Sequence, residues 1–369
     1  DPRISHKFIL ETNELGSATK TASVIYPRVS RPIGDFAVPD TVWDEQNKMH
    51  IAYGEADYTN DILTTPIYRL RSACESRGFE ISGVSQSVGN FFSLDDLKTQ
   101  IAGTTQLLFE EEFSGGAQRR LSQLSRSYFT NDLSTELDLG IMSNLGIEYK
   151  SYQLAFTKDL VPAKYGAKVN DAMLLDAGYV HSEEDEHWWT HSETLIYDEN
   201  PEDSFYIPIG GADVFENESF VTFDDYWLLN VTTTNALGHQ VSAVNDYRLL
   251  GPIEATDLNL NRSTVEVDEL GVVVKSVVMG KEGDSDGDTL DDPTARMEYD
   301  LFNWMINEKP NYVHLFAREK HGKSNPRWQE SYNYLDGGGG VIMSKSQTAP
   351  GIAKQWNEIT KEVDDIEAD

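Results

Sequence analysis

Cysteine is nearly absent from this 369-residue sequence: Cys74 stands alone, so no intrachain disulfide can form and no redox compartment can be read from a disulfide framework. The residue reads as buried and inert. Positive charge is scarce as well. Against 62 Asp and Glu there are 30 Lys and Arg, a formal net charge of −32, and such a surface repels a nucleic-acid backbone or an anionic membrane. Its plainest use is solubility. Long apolar runs are missing: Val272 to Met279 is interrupted by Lys275 and falls short of the ~20 residues a bilayer span needs, so no membrane insertion is expected of this piece. An initiator Met and a leader-type charged and apolar region are missing from Asp1-Pro2-Arg3-Ile4-Ser5-His6, so the chain reads as cut from something longer.

Catalytic signatures are missing too. There is no Gly-x-Ser-x-Gly elbow, and Cys74 sits in an Arg-flanked, strand-like segment without a nucleophile motif. Gly337 to Gly340 is not followed by the Lys-bearing helix of a phosphate loop, so it reads as a turn between strands. Asp and Glu are so numerous that a glycosidase-like carboxylate pair has no diagnostic weight. No enzyme and no cofactor are expected.

What is present suits sheets: 39% hydrophobic and 11% aromatic residues. Phe8 to Pro27 reads as a hairpin turning at Asn13 to Gly16, with further strands at Met49 to Tyr53 and Phe79 to Ile81. Ser93 caps a helix beginning Leu94-Asp95-Asp96-Leu97. From Gly115 to Gly178 apolar residues recur at helical spacing, at Leu121 and Leu124, Leu137 and Ile141, and Ala172 to Leu175. The expected organisation is a hairpin and mixed-strand region over 1–92, a helical and loop-rich insertion over 93–204, a repeat sheet over 205–351 and an acidic tail over 352–369. Trp356, Ile359, Val363 and Ile366 predict a short amphipathic helix in that tail.

The repeat is the most informative feature. Phe223-Asp224 leads through Leu228-Leu229 to Asn235-Ala236-Leu237-Gly238, and a later copy reaches Asp268-Glu269-Leu270-Gly271. Tyr299-Asp300 and Asp336-Gly337-Gly338-Gly339 follow. Asp or Asn bonds its own backbone and Gly supplies positive φ, so each unit reverses the chain and extends an antiparallel sheet by hairpins. Leu260 stands where the pattern favours Gly. Such a sheet has no closing element, and the polar and aromatic character of one face predicts a cavity lining in place of a packed second layer.

Two clusters tempt a metal reading. His181, Glu183, Glu184, Asp185 and His187 crowd beside Trp188 and Trp189, but two His six residues apart fit no zinc helix, and a polar loop anchored by aromatics is expected. Asp284, Asp286, Asp288 and Asp292 alternate as calcium ligands do, without the Gly and Glu of an EF-hand; they predict a weak structural calcium site only if they converge, and otherwise a solvated turn.

The repeat resembles the YD repeat of Rhs proteins. Longer strings are similar to the region that follows the propeller in the B component of insecticidal toxin complexes: Asp1 to His6, Leu154 to Thr157, Gly178 to Trp189, Leu290 to Trp304 and Arg327 to Gly340. The resemblance implies a mainly β fold, part of a hollow secreted shell closed together with a C-type Rhs component that carries a cytotoxic cargo. It also implies a pore-forming A component, reached through a propeller outside this chain. The residues it would place in the structural repeat are Phe223, Asp224, Asn235, Gly238, Asp268, Gly271, Tyr299, Asp300, Asp336 and Gly339; it transfers no catalytic or metal-binding residue. The rival reading is a surface adhesion or carbohydrate-binding module, since rows of Trp and Tyr on a sheet can stack on sugars. A second rival is a hydrolase built on the His181 to His187 loop.

Overall fold

Alternating burial marks the strands from the first hairpin onward: in Ala18–Ile25, Ala22 and Val24 are buried while Thr21 is exposed. The computed structural model describes residues 3–31, 33–34, 37–86, 89–183, 185–321, 326–348, 351–357 and 359–368, so Asp1, Pro2 and Glu184 of the motifs above lie outside the described residues. The chain is mainly β and divides into two units, Asp1–Glu199 with Gly210–Glu218, and Asn200–Ile209 with Ser219–Asp369.

In the first unit, strands Ser5–Thr12, Ala18–Ile25, His50–Tyr58, Ala73–Ser82, Gln118–Thr130, Ile147–Phe156, Trp188–His191 and Val180–His181 lie side by side in that order. Helix Leu94–Ala102 starts as its sequence dictates, with the Ser93 side chain accepting the Asp96 N–H. It buries Leu97 and Ile101 in a cluster with Val24, Tyr53, Phe79 and Ile81. Each such aliphatic burial is worth roughly 1.5–3 kcal/mol. A second cluster gathers Val161, Leu174 and Trp188.

The expected insertion over 93–204 is corrected here. Gln118–Thr130 pairs directly with Ala73–Ser82 and Ile147–Phe156 continues the sheet, so no boundary falls at 92/93. The helical spacing of Leu121 and Leu124 has a different cause: Leu121 faces Phe79 and Leu124 faces Arg77, with a register shift between. The extra residue puts both leucines on one face of a strand. Leu137 and Ile141 lie in irregular chain, whereas Ala172 to Leu175 is helical within Asp171–Asp176.

The second unit carries ten successive antiparallel strands, Glu218–Phe223, Asn230–Thr234, Gln240–Asp246, Gly251–Thr256, Arg262–Val267, Val273–Met279, Ala295–Asp300, Asn311–Arg318, Trp328–Leu335 and Val341–Ser346, each paired with the one before. Among the described residues neither hydrophobic cluster of the protein includes this unit, whose buried apolar residues are Leu229, Val277 and Phe316. It is one open layer, not a sandwich.

The tail is not a helix. Gly351–Trp356 and Val363–Ala368 form an antiparallel hairpin in which Trp356 faces Val363. Asn357 accepts the amides of Ile359 and Thr360, and Lys361 takes φ 57°. An apolar spacing of three and four residues arises here from strand, turn and strand.

Candidate functional site

The turns that hold the second unit's sheet repeat one chemistry. The Asn235 Oδ1 accepts the amides of Leu237 and His239, both at 3.0 Å, while Gly238 takes φ 76°. Asp268 does the same for Leu270 and Val272 around Gly271, and Asp336 for Gly338 and Gly340 around Gly339. Asp257 follows suit with Asn259 and Asn261, with Leu260 forced to φ 68° at the position where Gly stands in the other copies. Asp213 with Phe215 and Asn217 is a further copy, in the first unit, that sequence reading missed because Glu216 (φ 61°) replaces the glycine; an Asp answered by Asn four residues on was the available signal.

Asp224 makes a wider turn, accepting from Leu228 and Leu229, and its other oxygen takes the Tyr247 hydroxyl at 2.6 Å. That hydrogen bond holds the Asp224 carboxyl below its ordinary value and pushes Tyr247 up to about 12. The Phe223 ring lies 5.6 Å from that of Trp227. Tyr299 donates to the Val273 carbonyl, and Asp300 accepts from Phe302 at the entry to helix Asn303–Asn307. The predicted repeat residues therefore sit at turns and strand ends along one sheet, and do not converge on a point.

What converges is a face. Cross-strand pairing sets Arg296, Glu298 and Asp300 beside Phe316, His314 and Tyr312, and these beside Glu330, Tyr332 and Tyr334. His314 lies between Phe316 and Tyr332 at centroid distances of 3.8 and 3.9 Å, and its Nε2 meets Glu330 at 2.9 Å. Arg296 covers Phe316 at 4.1 Å, Arg318 covers Trp328 at 5.5 Å, and Lys345 covers Tyr334 at 5.3 Å. Burial raises the Tyr332 hydroxyl. The other face of the same strands pairs Ala295 with Ala317, Met297 with Leu315 and Tyr299 with Val313. The period-two run Tyr312, His314, Phe316 was the available signal for this ladder.

Among the described residues no three or more His, Cys, Asp or Glu side chains are grouped to hold an ion. In the acidic loop Asp284 and Asp286 stay exposed, and only Asp288 turns inward. Asp288 is buried and accepts from Thr294 at 2.7 Å, with the His321 Nδ1 at 2.7 Å and the Arg318 Nε at 3.6 Å, and Arg318 also pairs with Asp292. In the histidine loop, Asp185 accepts from the His187 amide and the Trp189 indole and pairs with Arg126, which itself lies 4.5 Å over Trp189. Burial opposes its ionisation, yet the His187 amide and its other partners hold the Asp185 carboxyl low. Burial likewise pushes the Cys74 thiol up.

No protein-family model matches the chain, and no curated protein does. Solved structures do. A crystal structure of TcdB2-TccC3 matches with a TM-score of 0.68 at 17% identity, over 99% of this chain and 19% of that one. A TcdB2-TccC3-Cdc42 crystal structure gives 0.65 at 16%, over 99% and 21%. The Photorhabdus luminescens Tc holotoxin pore gives 0.66 at 15%, over 100% and 21%. The chain thus spans about a fifth of the length of the chains it resembles. At these identities the likeness is one of fold, and the chain has the open, mainly antiparallel β fold of Tc toxin structures.

Proposed function

We propose that the chain is a non-catalytic wall segment of a secreted toxin-delivery shell, closed with a C-type Rhs partner around a cytotoxic polypeptide. A pore-forming A component would be reached through a propeller outside this chain. The observation that carries this reading is the single-layer sheet of the second unit: ten strands, several of them joined by the same Asp or Asn turn, with no hydrophobic cluster among its described residues. A sheet that neither packs on a second layer nor closes on itself suits a boundary between two spaces. The whole-chain likeness to Tc toxin structures supports the same reading.

The carbohydrate-binding alternative asks for ring faces open to a sugar. In this ladder His314, Phe316 and Tyr332 cover one another, and Arg296 covers Phe316. Co-expression with a C-type Rhs chain is the test: a soluble, hollow assembly with this segment in its wall is expected. A stable monomer that ignores the Rhs chain and binds a glycan array would replace the shell by the adhesin.

A further inference from the structure

The Asp288 carboxylate is 1% exposed and its partner Arg318 side chain 0%, so the pair is sealed; His321, 57% exposed, reaches the same carboxylate from the solvent side. The long loop between strands Val273–Met279 and Ala295–Asp300 is thus tied to the chain that follows strand Asn311–Arg318. We propose that the Asp288–His321 contact is a proton-sensitive clasp, tight when the imidazole is charged and slackened when it is neutral.

The surrounding charges fix the sign. From the acidic loop, Asp288 faces His321 and Arg318, while Asp292 is paired with Arg318. From the far side of the clasp, Glu319 is turned to Arg327 at 3.4 Å, and Trp328 packs on the Arg318 guanidinium. Thr294 donates to the Asp288 Oδ2 that His321 also meets. Arg318 holds the acidic loop through Asp288 and Asp292 whatever the state of the imidazole. A hydrogen bond between charged partners is stronger than one with a neutral donor. The clasp is therefore tight on the acid side, where the imidazole carries its second proton, and loosens as pH rises.

Backbone bonds report it: the Asp288 amide donates to the Val278 carbonyl at 2.9 Å and the Glu319 amide to the Arg327 carbonyl at 3.0 Å. Hydrogen exchange of the full chain, corrected for the intrinsic pH dependence, should show these two amides roughly 5-fold better protected at pH ~5.5 than at pH ~8, the ratio expected when a charge-assisted bond becomes a neutral one. His321→Gln should abolish the difference and exchange at both pH values as the native protein does at high pH. Amides of Trp328–Leu335 serve as the control for an intact sheet. Equal protection at both pH values in the native protein, or an undiminished pH dependence in His321→Gln, would overturn the clasp. Asp288→Asn, which removes the acceptor charge and leaves the imidazole in place, should flatten the pH dependence of the Glu319 amide as well; a dependence as large as the native protein's would overturn the clasp.

Discussion

At the scale of single residues, the second unit depends on side-chain oxygens that do backbone work. Asn235→Ala leaves the Leu237 and His239 amides without their acceptor, and thermal or denaturant unfolding should show a loss of about 1 kcal/mol. Leu260→Gly should act the other way: a left-handed leucine is strained by ~1–2 kcal/mol, part of which glycine's extra unfolded-state freedom cancels, leaving a gain of roughly 0.5 kcal/mol. Three turn carboxylates are held below their ordinary value, Asp257 first by Asn261, Asp213 first by Asn217 and Asp224 first by Tyr247. Their stabilisation is present above the unfolded carboxylate range and disappears as pH falls through the lower folded values. Melting temperature should therefore drop on titration from pH ~5 towards ~2, and Asp257→Asn should remove its share of that drop. The sealed Asp288–Arg318 pair is costlier to break: Arg318→Met leaves a buried carboxylate whose guanidinium partner is gone, and a loss of about 3–5 kcal/mol is expected in equilibrium unfolding.

At the scale of elements, Trp188 and His187 separate packing from polarity. Trp188 is 5% exposed among Val161 and Leu174, whereas His187 accepts a single amide, that of Lys158, at 3.2 Å. Trp188→Ala should cost about 3 kcal/mol or more, and His187→Ala under ~1 kcal/mol, in parallel denaturant titrations. Comparable losses from the two would show that the loop depends on its imidazole. Elements whose chemistry is local were legible in the sequence: the Ser93 cap, the first hairpin, and the turns at Asn235, Asp268 and Asp336. What escaped was whatever needs a partner strand. Leu121 and Leu124 share a face only because of a register shift against Ala73–Ser82, and Trp356 meets Val363 only because Asn357 turns the tail. The ladder around His314 escaped for the same reason, since its rings meet only when Asn311–Arg318 pairs with Trp328–Leu335, and Arg296 joins them from a third strand.

At the scale of the whole molecule, the two units solve stability differently. The first buries a helix against a sheet, and the second stacks rings and guanidinium groups laterally between neighbouring strands. Because each strand from Glu218–Phe223 to Val341–Ser346 is paired with those beside it, its stability is approximately a sum of hairpin and nearest-neighbour contributions. That arrangement has a mechanical consequence. Tension applied at Ser346, with Glu218 held, should peel the strands away one after another, each hairpin releasing its own length at a similar force. A layered domain would instead resist as a block and yield in one step.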